Sequence, residues 1–271
     1  MTYPIERRSG EIERLHVQAA AMAPDCAVML DRIGVNAGWR CLDLGCGPGG
    51  ITAVLSARVG PTGRVVGFDA DEAFLEHARR TAAPNVMFVG GDAYHTGLPD
   101  CSFDLVHIRF LASTAGRPEA LLAEAMRLAR PDGVVAMQEP DMTTLVCHPP
   151  HPAWDQLRTA LIGAFASVDA DINLARSLYL LVRRAGLHDV QYRPFVIGVR
   201  AGDPMVDYLP STVQSLAGTI VGRGLLSERE LTAALADCRA HLRSPDVSFT
   251  MYTVAQVWGR VGERSALDIQ S

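Results

Sequence analysis

The chain contains no lysine: all 25 of its basic residues are arginine. That absence excludes a Schiff-base lysine, and with it pyridoxal phosphate chemistry, and it excludes the lysine of a phosphate-binding P-loop. There is no C-x-x-C pair either. The six cysteines (Cys26, Cys41, Cys46, Cys101, Cys147 and Cys238) are scattered and read as reduced, mostly buried thiols. No apolar run approaches the roughly 20 residues needed to span a bilayer. The stretch Met1 to Gly10 lacks the apolar core of a signal peptide, so a cytoplasmic location is expected. A net charge of -5 offers no basic face to nucleic acid or to an anionic membrane, and neither is expected as a partner. With 48% hydrophobic and 20% charged residues over 271 positions, one large domain, or one domain with an elaborate insertion, is expected.

What is present is organised around Cys41-Leu-Asp-Leu-Gly-Cys-Gly-Pro-Gly-Gly50. A short apolar run breaks into four glycines within six positions and continues as the helix-like Ile51 to Arg58. That is a strand, a tight turn and a helix N-terminus, an arrangement that lets backbone N–H groups approach a ligand. Gly45, Gly47 and Gly50 satisfy G-x-G-x-x-G, so the loop alone is compatible with a dinucleotide. Before it, Glu11 to Met22 reads as an amphipathic helix that Pro24 ends or restarts, with helical period resuming from Cys26 to Ile33. After it come strands at 64–69, 86–89, 103–110 and 134–139, with helices near 71–82 and 118–130. Strand and helix alternate with short crossovers, which predicts a doubly wound, mostly parallel α/β sheet. The second half is mostly helical. A strand at 192–199 and a long final strand from Val247 to Trp258 interrupt it, and Ser227 with Glu230 forms a capping box.

In such a sheet, ligands sit beyond the carboxyl ends of the strands. Those ends offer Asp43, Asp69, Asp92, Arg109 and Gln138-Glu139. Three carboxylates converging on one crevice suit a pyrophosphate poorly, because Asp43 immediately before the loop would repel it. They suit a ligand with a ribose diol, an exocyclic amine, an ammonium and a sulfonium. The loop therefore reads as a site for S-adenosylmethionine.

Leu42-Asp43-Leu-Gly45-Cys-Gly47-Pro-Gly49, Gly67-Phe-Asp69, Gly90-Gly-Asp92-Ala93, Leu98-Pro99, Ser102-Phe-Asp104 and Arg130-Pro-Asp-Gly133 resemble, in order and spacing, the motifs of class I S-adenosylmethionine-dependent methyltransferases. Within that family the chain resembles the bacterial small-molecule group acting in specialised metabolism. The resemblance implies a seven-stranded Rossmann-like sheet whose last strand runs antiparallel beside the fifth. It implies an N-terminal helical cap over 1–36 and a methyltransferase domain over 37–271, with 141–186 and 201–246 as helical segments covering the substrate. It also implies S-adenosylmethionine as cofactor, S-adenosylhomocysteine as product and a small-molecule acceptor as partner. Asp43 would orient the loop and the methionine ammonium. Gly45 and Gly47 would admit the methionine and ribose. Asp69 would accept the ribose hydroxyls, Ala70 would line the adenine, Asp92 would accept the adenine amine and Ala93 would offer its N–H. Arg109 would face the methionine carboxylate with Gln18 from the N-terminal helix.

Methyl transfer from a sulfonium is an in-line displacement that needs a base only when the acceptor must lose a proton. Glu139 and His148 are the candidates chosen from a set that includes Asp141, His151, Tyr94 and His95. His107, inside a buried strand, is expected to be a hydrogen-bonded core residue. His148-x-x-His151 with Cys147 lacks a compatible third ligand geometry, so no metal is expected. Phe165, Tyr179, Phe195 and Tyr208 could line a mostly apolar acceptor pocket. The rival readings are a protein that binds the cofactor without transferring methyl, such as a cyclase or binding module, and an NAD-dependent oxidoreductase. The N-terminal helices could pair two subunits.

Overall fold

In the computed structural model, which describes residues 10–262, the alternating first half builds most of a seven-stranded sheet. In chain order it comprises α1 (Glu11–Ile33), β1 (Arg40–Leu44), α2 (Gly50–Val59), β2 (Arg64–Asp69), α3 (Glu72–Arg79), β3 (Val86–Gly90), β4 (Phe103–Arg109), α4 (Ala112–Ala115), α5 (Pro118–Leu128) and β5 (Ala129–Asp141). The second half comprises β6 (Val146–His148), α6 (Pro152–Ala166), α7 (Ala175–Arg184), β7 (His188–Phe195), β8 (Gly198–Arg200), α8 (Tyr208–Ser215), α9 (Ala217–Gly222), α10 (Glu228–Leu242), β9 (Ser248–Thr250) and β10 (Thr253–Arg260). The strand order is β3-β2-β1-β4-β5-β10-β7. Strands β1 to β5 pair in parallel, and β10 lies antiparallel between β5 and β7. Strand order reverses between β1 and β4, so the crevice for a ligand opens at the carboxyl end of β1.

The apolar periodicity assigns the two faces. Leu42, Leu44, Val106, Ile108 and Met137 point to one side, where α5 and α7 cover them. Cys41, Leu105, Ala136 and Trp258 point to the other, under α1 and α2. A third apolar cluster joins α6, α8 and α10 to Met22 of α1 and to Tyr252. This cluster closes the outer side of the crevice. A described helix long and apolar enough to cross a membrane is absent.

Three details differ from the expectation. The N-terminal segment is one helix with Pro24 inside it, not two. Pro24 forfeits one helical hydrogen bond, but its ring lies exposed while Met22, Cys26, Met29 and Leu30 bury on either side of it. Continuous burial outweighs the lost bond. The long strand over 247–258 is two strands, because Met251 and Tyr252 leave β9 and turn their side chains inward, 0% and 1% exposed. The strand expected at 192–199 likewise divides between β7 and β8, and β6, β9 and β8 make a separate three-stranded sheet. Residues 1–9 of the expected cap and 263–271 of the expected domain lie outside the described residues.

Candidate functional site

β1 delivers Asp43 to the base of the glycine loop, and the loop is shaped by contacts that tolerate no side chain. Gly45 has φ +80°, and a Cβ there would lie 2.8 Å from Leu111 Cδ2. A Cβ on Gly50 would meet Ala19 Cβ at 2.7 Å, which is how closely α1 crosses the start of α2. Asp69, at the end of β2, holds the loop from the side. Its Oδ2 accepts Gly47 N–H at 2.8 Å and its Oδ1 accepts Asp71 N–H at 2.9 Å. Burial raises the Asp69 pKa, against the pull of those two amides. Each carboxylate oxygen retains a second lone pair, so the group can still accept two hydroxyls.

Asp43 is 2% exposed and accepts from Thr52 Oγ1 at 2.6 Å and from the His107 ring at 2.9 Å. His107 is fully buried and hydrogen-bonded on both nitrogens, the second to Gln138 at 2.8 Å. Arg109, two residues further along β4, lines the same cavity as Asp43. Burial lowers its pKa, opposed by Cys26, Asp43 and Tyr252. Its Nη1 is buried and has no hydrogen-bond partner. An orphaned guanidinium N–H is costly, and here it borders a cavity. Gln18 of α1 reaches the same wall and donates to Tyr252 Oη at 2.7 Å. The Tyr208 ring lies 5.6 Å from the Tyr252 ring.

These groups border one cavity of about 1050 Å³. Asp43, Gly45, Gly47, Asp69, Ala70, Ala93, Arg109 and Gln18 all lie in its wall, so eight residues spread over four strand ends and one helix converge. Met142, Phe165, Val168, Ile172, Tyr208 and Tyr252 line the same cavity. Of the aromatic residues expected at an acceptor pocket, Phe165 and Tyr208 are here. Tyr179 is 43% exposed on α7, and Phe195 is packed in the core.

Three expected site residues are not in this wall. Asp92 turns onto its own loop, accepting Tyr94 N–H at 3.0 Å, and its side chain is 60% exposed. His148 lies exposed in β6, paired with Ser248 of the second sheet. Its chain leaves the parallel sheet after Asp141 and carries it away from the crevice. Glu139 is fully buried, and its two oxygens accept Ala112 N–H at 3.0 Å and Ser113 N–H at 3.2 Å, closing the first turn of α4. Among the other candidates, Tyr94 donates to the carbonyls of Ala115 and Gly116, Asp141 pairs with Arg176, and His151 caps α6. Groups of three His, Cys, Asp or Glu placed to hold a metal are absent among the described residues. Gln138 was read only as a strand end, and the parts played by Thr52, Gln256 and Tyr252 escaped the reading of the sequence. Only the two glutamines left a signal there, as polar residues inside otherwise apolar strands.

Burial pushes the Glu139 carboxyl up to about 7. Its folded pKa is therefore above its unfolded value, so its contribution to stability is fully present below about 4.5 and is lost as pH rises through about 7. In urea unfolding, the natural protein should lose roughly 3 kcal/mol relative to Glu139→Gln between pH 4.5 and 8. A pH-independent difference would show that the carboxyl is not held protonated by its burial.

A protein-family model for a methyltransferase domain matches residues 41–133, the stretch from β1 through the turn that opens β5. The chain is 40% identical over 120 residues to the demethylmenaquinone methyltransferase of Staphylococcus aureus, a match covering 44% of this chain and 49% of that protein. It thus spans about half the length of that curated relative. Among solved structures, a putative methyltransferase from Bacillus halodurans superposes with a TM-score of 0.60 at 16% identity, over 89% of this chain and all (100%) of that one. The phosphoethanolamine N-methyltransferase 2 of Haemonchus contortus, solved with S-adenosylhomocysteine, superposes with a TM-score of 0.53 at 16% identity, over 88% of this chain and 52% of that one. The two structural likenesses concern the fold, and the sequence matches concern the glycine loop and the strand ends that build the cavity. Residues 41–133 are similar to a methyltransferase domain, and the chain around them shares the fold of solved methyltransferases.

Proposed function

We propose that this protein transfers the methyl group of S-adenosylmethionine to a small, mostly apolar acceptor. The observation that supports this most directly is the buried Arg109 Nη1 without a partner, set in one cavity wall with Asp43 and Asp69. A zwitterionic amino-acid end supplies both a carboxylate for Arg109 and an ammonium for Asp43, and a ribose supplies the diol for Asp69. A pyrophosphate would meet three acids, Asp43, Asp69 and Asp71, and would find no lysine. When bound, S-adenosylmethionine would supply a sulfonium-activated methyl group, which bonds to an acceptor lone pair as the C–S bond breaks and the electron pair leaves with sulfur, giving S-adenosylhomocysteine.

This chain's own residues would then bind, align and exclude water. Gly45 and Gly47 bring backbone close to the methionine and ribose, Ala70 and Ala93 bound the adenine, and Gln18 closes the wall from α1. The aliphatic and aromatic side chains of Met142, Phe165, Val168 and Ile172 favour an apolar acceptor body. Asp92 would act from the rim, through the backbone turn that places Ala93. Glu139 would serve the reaction by fixing α4 behind the cavity rather than by taking a proton, and His148 would be dispensable. The segments α6 and α8 to α10 would cover the acceptor.

Calorimetric titration of the purified protein with S-adenosylmethionine, S-adenosylhomocysteine and NAD(H) tests the reading. Micromolar binding of the first two and none of the third is expected. Tight NAD(H) binding, or no binding of either sulfur compound, would overturn it.

A further inference from the structure

Beneath Asp43, the polar residues of adjacent strands form one hydrogen-bonded line whose direction is set from its far end. Arg193 can only donate. It gives Nη1–H to Gln256 Oε1 at 2.8 Å and Nη2–H to Asp25 Oδ1 at 2.5 Å. Gln256 Nε2 consequently carries the amide hydrogens, and donates to the Asp25 carbonyl at 3.1 Å and to Gln138 Oε1 at 2.8 Å. With its oxygen thus engaged, Gln138 presents its own Nε2–H to His107 Nε2 at 2.8 Å. That ring nitrogen must accept, so the imidazole is neutral and its proton sits on Nδ1, facing Asp43 Oδ1 at 2.9 Å.

Strand register makes the line possible. Asp43 is the direct partner of His107, Gln138 of Gln256, and Gln256 of Arg193. His107 to Gln138 is the one diagonal step, because Gln138 directly faces Arg109. Asp43, His107, Gln138 and Gln256 are each no more than 2% exposed. In so dry a place an amide or ring turned the wrong way would leave two like groups facing each other, so only one polarity is satisfied along the whole line.

We propose that Gln138 and Gln256 are positioning residues for the methionine end of the cofactor. They hold His107 in its neutral Nδ1–H form, and His107 with Thr52 fixes Asp43 as an ionised acceptor facing the cavity across from Arg109. A neutral ring leaves the charge of Asp43 available to an ammonium, whereas an imidazolium would neutralise it. The inference rests on the reading of this cavity as an S-adenosylmethionine site.

The test uses the whole chain labelled with ¹⁵N-histidine, with His107→Gln to assign its ring signals. In the natural protein His107 should show a protonated Nδ1 and an unprotonated Nε2. Gln138→Glu, nearly isosteric, sets a carboxylate against Nε2 and should add the second proton. S-adenosylhomocysteine should then bind about tenfold more weakly, the size of one modest charge-assisted hydrogen bond. Adenosine, which lacks the amino-acid end, should keep its affinity. Gln138→Leu should give the same split, and the nearly isosteric variant stands alone if the leucine variant fails to fold. A proton on Nε2 in the natural protein, unchanged S-adenosylhomocysteine binding in Gln138→Glu, or an equal loss for adenosine would overturn the proposal. Failure of the natural protein to bind S-adenosylhomocysteine at all would instead defeat the cofactor reading, and this inference with it.

Discussion

Asp69→Ala is expected to weaken S-adenosylhomocysteine binding by about a hundredfold or more. Two contributions add. The carboxylate would hold the ribose diol, and hydrogen bonds to a charged group are worth about 1.5–3 kcal/mol each. It also accepts the N–H groups of Gly47 and Asp71, so its removal frees the loop at the point where the chain turns with φ +51° at Gly47. Asp69→Asn separates the two, since an amide keeps one acceptor oxygen and loses the charge. It should fall between the natural protein and the alanine variant when measured by calorimetry. Adenosine binding should fall in parallel with S-adenosylhomocysteine, because both carry the ribose. A loss below about fivefold in Asp69→Ala, smaller than one hydrogen bond to a charged group, would remove Asp69 from the binding role assigned to it.

Arg109→Met is expected to behave in the opposite way toward stability. The guanidinium is taken out of water, and without a ligand one of its N–H groups has no partner. Replacing an incompletely paired buried charge with an apolar side chain of similar length is often neutral or stabilising. The thermal midpoint of the unliganded protein should therefore hold or rise. Binding of the amino-acid end should suffer, because its carboxylate would enter a dry cavity and find no cation. Truncating one partner of such a pair costs about 2–5 kcal/mol, or roughly 30- to several thousand-fold in affinity. Adenosine should bind as before. Thermal unfolding and calorimetry with both ligands check this, and a fall in midpoint accompanied by equal loss of both ligands would assign Arg109 a structural role only.

The two substitutions divide the cavity into a ribose end and an amino-acid end, and a third, Gln138→Glu, reaches the second end from below. Arg109 and Asp43 stand on neighbouring strands, and only Asp43 has its hydrogen bonds satisfied within the protein. The unliganded chain thus holds its anion in place while its cation lacks a full set of partners. Ligand binding would complete the set.

Much of this was legible in the sequence. Strand and helix alternation from Arg40 to Asp141 follows from local periodicity, and a parallel sheet with short crossovers has few topologies open to it. The glycine loop and the acids at the ends of β1 and β2 could be placed because each depends on residues within a few positions of itself. Arg109 could be placed at a strand end by counting. The single helix through Pro24 could not, because its continuity depends on burial against the sheet, against α2 and against α8, the last far away in the chain.

The sequence by itself determined the alternation of strand and helix up to Asp141, the position of the loop, and the likeness of residues 41–133 to a methyltransferase domain, since these rest on short-range pattern and on motifs in series. Only the tertiary structure decided the environment of each polar group. Glu139 and His148 look alike as acid–base candidates in a string of letters. Yet one is sealed against the start of α4 and the other is carried to the surface by β6, because the chain leaves the parallel sheet after Asp141. Gln138, Gln256 and Arg193 are separated by more than a hundred positions at their widest, and antiparallel register alone sets them side by side. Hydrogen-bond direction and desolvation are properties of neighbours in space, so they appear only once the strands are paired.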